Sequence, residues 1–286
     1  MTVVLSAGSD RVQIEPDEGG KISSLVAGGT ERILTRPAEA SPGDTLLWGC
    51  FFMAPWVGRI AEGRLPWEGQ THQFPQNFGG HAIHGLVFDK VWSVDNMTKS
   101  SIAMSCDLVR AGWPFGGTVH HRIDLGAGHL TLTARVEAGD RSMPVSVGWH
   151  PYFVRPLEGD LSVTVAADNV LETSEDLIPT GRLIPVSGDT DLRRGRALGE
   201  RRLDHVYAGA RGPARVTWPD LELELEFDQP IETIVVYTPA HAACVEPQTA
   251  WPDAPALASS GVEGTGVATL AGGEAFEAST TWTWRS

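Results

Sequence analysis

The stretch "LELELEF", Leu221 to Phe227, constrains the fold more than any other. Leu221, Leu223, Leu225 and Phe227 alternate with Glu222, Glu224 and Glu226, so a chain of period two puts every apolar side chain on one face and every carboxylate on the other. A helix would scatter the leucines around its axis. The same alternation runs through Val119, His121, Ile123 and Leu125, and resumes in Leu130, Leu132, Ala134 and Val136 after Gly126-Ala127-Gly128, which predicts a hairpin with a three-residue loop. "GRLPWEGQTHQF" predicts another, with Glu68-Gly69 at the turn, and Thr281 and Thr283 alternate with Trp282 and Trp284 near the C-terminus. "IETIVVYTP" is apolar through most of its length, β-branched, and stopped by Pro239; it reads as a strand buried on both faces. No window carries a 3.6-residue apolar period over about three turns. With 32 Gly and 19 Pro punctuating many short strands, the expected class is all-β, a sandwich or barrel.

All-β domains reach about 250 residues as one unit, so the 286 residues are read as a single domain, 1–286. A hydrophobic share of 42% is enough for a sizeable core without disulfides or metals. The formal charge of -14 repels a phosphate backbone or an anionic lipid surface, so neither nucleic acid nor membrane is expected as a partner. Cys50, Cys106 and Cys244 are odd in number and far apart, which fits a reducing compartment better than a disulfide framework. Val3, Val4 and Leu5 are too short an apolar run for a signal peptide, and a cytoplasmic location is expected. No sequence feature specifies an assembly.

Three stretches combine unusual residues with turn-forming neighbours. They are "PQNFGGHAIHGLVFDKVW", with Asn77, His81 and His84; "VSVGWHPYF", with His150; and "ACVEPQT", with Glu246. His150 and Glu246 each stand directly before a proline, which restricts the preceding residue to extended geometry. Taken singly, each has a bland reading: a hydrogen-bonded core histidine, or a solvated carboxylate at a strand end. His81 and His84 would be metal ligands only if both rings faced one ion, and H-x-x-H in a glycine-rich loop lacks the helical context that arranges this. Arg193, Arg194, Arg196, Arg201 and Arg202 form a cluster suited either to a phosphate or to solvent, with Asp189, Asp191 and Glu200 among them.

"NFGGHAIHGLVFDKVW", "GWHPYF" and "VVYTPAHAACVEPQTAWPDA", in this order and spacing, resemble the aldose 1-epimerase (galactose mutarotase-like) family, with "PWVGRIAEGRL" similar to its early arginine motif. The resemblance implies a large antiparallel β-sandwich with a sugar cleft across one face. It implies Glu246 as general base, His150 as general acid, His84 as a second histidine near the ring oxygen, and Arg59 and Asp204 as partners of sugar hydroxyls. Asn77, Trp149 and Gln248 are further candidates for substrate binding, although core packing serves Trp149 equally well. No cofactor is implied, and the expected partner is a small sugar. In galactose mutarotases Asn usually precedes the arginine and Gln stands just before the "YT" pair; here Gly58 and the Val235-Val236 region take those places. Two rivals share the fold. A hexose-6-phosphate 1-epimerase predicts arginines of the 193–202 loop on the cleft, and a non-catalytic carbohydrate-binding protein needs no matched acid and base. A glycosidase would want two carboxylates across the bond.

Overall fold

The computed structural model describes residues 1–38 and 45–285. Two large sheets, one of eleven strands and one of nine, face each other across a continuous layer of buried side chains. Every paired strand within them is antiparallel. Rings from both sheets meet in the middle: Phe153 packs on Trp282 and Trp218, and Phe52 stacks on His121 at 4.8 Å between centroids. The class is therefore an all-β antiparallel sandwich, and among the described residues helix is confined to short pieces such as Leu108–Ala111 and Ala254–Ser259.

The alternating segments build the nine-stranded sheet. Glu222–Phe227 lies between Arg211–Thr217 and Ala275–Arg285, with Leu223 and Leu225 buried and the glutamates turned outward. Thr118–Gly126 and His129–Glu137 form the expected hairpin, but its loop is shorter than the sequence suggested. Gly126 still pairs with His129, leaving Ala127-Gly128 alone as the connection, and Gly128 takes the positive φ of 77° that so tight a loop needs. Glu68-Gly69 turns the Arg64–Trp67 and Gln70–Gln73 hairpin with φ of 47° and 75°, the left-handed pair of a type I′ turn.

The eleven-stranded sheet is different in kind. Its central strands, Cys50–Met53, Gly148–Val154, Ala242–Gln248 and Thr233–Tyr237, are buried on both faces almost throughout. One face meets the other sheet, and the second is roofed by loops, among them residues 54–60, 77–86 and 249–253. Hydrogen bonds hold these loops to each other: His84 N–H donates to Gly58 O, Leu86 N–H to Ala54 O, and Asp253 N–H to Arg59 O. No described helix is long and apolar enough to cross a membrane.

Candidate active site

The outer face of the eleven-stranded sheet holds a cleft of about 310 Å³, at the small end of the range for ligand sites. Its floor follows from strand register. Gly148 pairs with Gln248 and Tyr152 with Cys244, so His150 and Glu246, midway between them, stand opposite one another. Phe51 flanks His150 on the next strand out, and Val235 then Val206 continue the row beyond Glu246. The prolines behind the two ionisable residues leave both in extended strand.

His150 Nε2 lies 3.2 Å from Glu246 Oε1, and the side chains are 5% and 2% exposed. Gln248, two residues on and hence on the same face, donates its Nε2 hydrogen to Glu246 Oε2 at 2.9 Å. His150 is held between two rings, Phe51 at 4.5 Å and Tyr152 at 4.8 Å between centroids, both nearly parallel to it. Tyr152 in turn donates its hydroxyl hydrogen to Leu46 O at 2.6 Å. Burial pushes the Glu246 carboxyl well above the usual carboxylate range, with the Asp204 charge adding to it. Burial also lowers His150 to about 3. The environment thus disfavours charge on either partner taken alone.

His84 completes this group. Its ring stands edge-on to His150 at 5.0 Å, its φ is 64°, and its Nδ1 is buried without a hydrogen-bond partner among the described residues. A bulky side chain in the left-handed region costs of order 1–3 kcal/mol and persists only where its surroundings hold it. Here Gly85 is part of the hold: a side chain there would meet Ala54 O at 2.0 Å, so the loop can lie on that strand only with glycine. Arg59 and Asp204 also line the cleft, Arg59 with its guanidinium 5.8 Å from the Phe78 ring. Gly58, at φ 59°, has Pro252 where its Cβ would be, at 2.6 Å, so a larger residue before the arginine is sterically excluded.

Glu246, His150, His84, Arg59, Asp204 and Gln248 therefore line one cleft, and two of the expected residues do not. Trp149 faces the opposite way, because successive side chains of a strand alternate. It is fully buried between the sheets and donates Nε1–H to His121 Nε2 at 3.0 Å. Asn77 also lies outside the cleft; its Oδ1 accepts from Ile83 N–H at 2.8 Å and braces the loop that carries His84. His81 does not join His84 on an ion, since its Nδ1 accepts from Glu62 N–H. None of Arg193, Arg194, Arg196, Arg201 and Arg202 lines the cleft. Arg193 pairs with Asp168 and Asp191, Arg196 and Arg201 with Asp189, and Arg202 donates to Glu200 O. Sequence reasoning missed Tyr152, Phe51, Tyr237 and Phe78. Tyr152 was within reach, two residues from His150 on the same strand face, whereas Phe51 depends on a pairing across 99 positions that no local pattern announces.

Comparison with known proteins agrees with the fold. The sequence aligns with a galactose mutarotase of Mus musculus at 34% identity over 164 residues, 54% of this chain and 47% of the relative. It aligns with the protein YihR of Escherichia coli K12 at 26% over 220 residues, 73% of this chain and 69% of the relative. The chain spans about half the length of the galactose mutarotases it matches. A galactose mutarotase-like protein of Clostridium acetobutylicum superposes with a TM-score of 0.88 at 20% identity, covering 100% of this chain and 95% of that one. A galactose 1-epimerase of Lactobacillus acidophilus does so at 0.80 and 19%, over 99% and 94%. With the profile "Aldose 1-epimerase" matching residues 1–283, the chain belongs to the aldose 1-epimerase family.

Proposed function

We propose that the protein is a cofactor-independent aldose 1-epimerase that interconverts the α and β anomers of a free aldohexose or related sugar. The observation that carries this reading is the pair His150 and Glu246, 3.2 Å apart on the floor of a cleft sized for a small ligand. Anomer exchange needs one group to take the proton of the C1 hydroxyl and another to give a proton to the ring oxygen. Glu246, ionised, takes the first, and His150, protonated, gives the second. The bond from C1 to the ring oxygen breaks with its electron pair going to oxygen, and a carbonyl forms at C1. Rotation about C1–C2 presents the other face, and the reverse transfers close the ring.

The burial of the pair suits this cycle. Two neighbouring groups this close titrate as a unit, and one proton shared between them is all the chemistry requires. While the aldehyde is bound, Glu246 is protonated and His150 neutral, which is the state that desolvation favours for both. The ionic state that begins the cycle is supported by groups in place beforehand, the Gln248 amide on Glu246 and the Arg59 charge nearby. His84 Nδ1, Arg59 and Asp204 would hold the ring oxygen and hydroxyls. The phosphosugar reading has less support, because Arg193, Arg196, Arg201 and Arg202 are engaged with carboxylates and carbonyls of their own region, and none of the loop arginines, Arg194 included, lines the cleft.

Polarimetry or NMR of anomer equilibration on a panel of sugars and sugar phosphates tests the proposal. Glu246→Gln and His150→Asn should each lose about 10²- to 10⁴-fold in kcat/KM, the usual worth of a general acid or base. A wild-type protein that binds a sugar and accelerates no equilibration would leave the carbohydrate-binding reading in its place.

A further inference from the structure

Three buried donors of different chemistry converge under this cleft. Cys244 lies two residues before Glu246, so both side chains leave the same face of one strand. The Cys244 thiol, the His150 imidazole and the Glu246 carboxylate each offer one donor atom, and all three atoms lie within 4.8 Å of one another. His150 Nε2 and Glu246 Oε1, at 3.2 Å, are already near the separation of two ligands that stand about 2.0–2.2 Å from one tetrahedral ion. The acid–base cycle gives Cys244 nothing to do.

We infer that Cys244, His150 and Glu246 form a binding site for a thiophilic divalent cation of the zinc class, and that occupying it switches the acid–base pair off. The donor set selects the ion: one sulfur, one imidazole nitrogen and one carboxylate oxygen suit zinc, cadmium or cobalt, whereas magnesium and calcium favour all-oxygen shells. Burial helps rather than hinders, since a divalent cation brings to a desolvated thiolate and carboxylate the positive charge that neither has alone. The imidazole meets the ion in its neutral, ligating form. Coordination replaces the sulfur–hydrogen bond of Cys244 with a sulfur–metal bond; its proton, together with the one shared by His150 and Glu246, leaves to solvent. His150 and Glu246 line the cleft while Cys244, fully buried, does not, so the ion arrives from the cleft and its fourth position faces back into it. The lone pairs that bind the ion are those the proposed cycle uses to move protons. The inhibition rests on the acid–base reading of the pair; the coordination does not.

Cobalt titration reads the coordination directly, because a thiolate bound to Co²⁺ gives a charge-transfer band in the near ultraviolet. The wild-type protein should develop this band to one equivalent, and Cys244→Ser should not. Cys244→Ala, which keeps the packing apolar, serves as a second variant, with near-ultraviolet circular dichroism checking both folds. In parallel, Zn²⁺ should suppress anomer equilibration by the wild type and a chelator restore it. Both variants should raise the half-inhibitory concentration by more than the roughly 10- to 100-fold that loss of an outer-shell partner costs, with unchanged turnover in metal-free buffer. A wild-type protein without the band at saturating Co²⁺ overturns the site, as does an unchanged band or unchanged inhibition in both folded variants. A band without turnover would instead remove the catalytic reading and leave the site standing.

Discussion

The two sheets of the sandwich solve the same burial problem in opposite ways. In the nine-stranded sheet each long strand buries alternate residues and turns the rest to solvent, where Arg215 pairs with Glu224 and Arg135 with Glu137 and Glu277. In the eleven-stranded sheet Ala242–Gln248 is buried at every position, and its second face holds ionisable groups such as His150 and Glu246 out of water. Satisfied charge at the surface adds little and costs little. Desolvated charge is expensive and therefore marks where function has been placed.

The sharpest test of that difference is removal of the base. Glu246→Gln keeps the size of the side chain and an acceptor for the Gln248 amide, yet should lose about 10²- to 10⁴-fold in kcat/KM, or roughly 3–5 kcal/mol of transition-state stabilisation. The melting temperature should hold or rise, because a buried ionisable group has been replaced by a neutral one. An equal loss of stability and activity would mean that Glu246 is an ordinary part of the fold.

The reverse result is expected across the sandwich. Leu132, fully buried on His129–Glu137 between Ile123 and Thr280, should cost about 2–5 kcal/mol when cut to alanine. Urea unfolding measures the loss, and kcat/KM of the protein that remains folded should be unchanged. A large catalytic defect in Leu132→Ala would show that the two sheets do not divide the labour as described.

Asp253 gives an intermediate case on the cleft side. Its Oδ1 accepts from Ala61 N–H at 3.2 Å, its backbone N–H donates to Arg59 O, and burial raises its carboxyl from 3.8 to about 6. The folded state thus binds this proton more tightly than the unfolded chain. Stability from this group is fully present below pH 4 and is lost as pH rises through about 6. Asp253→Asn keeps the acceptor and removes the charge, so it should stabilise the protein by about 1–3 kcal/mol at pH 8 and by almost nothing at pH 4. Urea midpoints at the two pH values measure it, and a gain of equal size at both would assign the effect to something other than titration.

The same contrast explains what could be read from the sequence. Alternation is a local signal, so "LELELEF", the hairpin strands from Val119 to Val136 and the C-terminal tryptophans were legible in place. The hairpin loop came out one residue too long because Gly126 looks like turn chemistry and yet still pairs with His129. The site is a different matter. Glu246, His150 and His84 stand at least 66 positions apart in the chain, and it was the order of motifs that joined them, not any periodicity. Trp149 was open to correction by the same period-two rule that placed Tyr152 beside His150: the residue next to a cleft histidine on a strand must face away from the cleft. Asn77 sits in a loop, where no such rule fixes direction, and only the hydrogen bonds to Ile83 show that it holds the site's frame.

The smallest effect belongs to the outer face of the regular sheet. Arg215 stands opposite Glu224, with Nε–H donating to Oε1 at 2.8 Å across neighbouring strands. The geometry is good, but both groups remain hydrated enough that their attraction mostly replaces contacts with water. Glu224→Gln should cost under about 0.5 kcal/mol at low ionic strength, and less at 1 M salt, where the screening length shrinks to about 3 Å. Equilibrium unfolding at the two salt concentrations checks this, with kcat/KM expected to stay at the wild-type value. A cost that rivals Leu132→Ala and survives salt would show that this face also carries desolvated charge. The separation drawn between the sheets would then rest on the cleft's position alone, and no longer on how each sheet treats its ionisable residues.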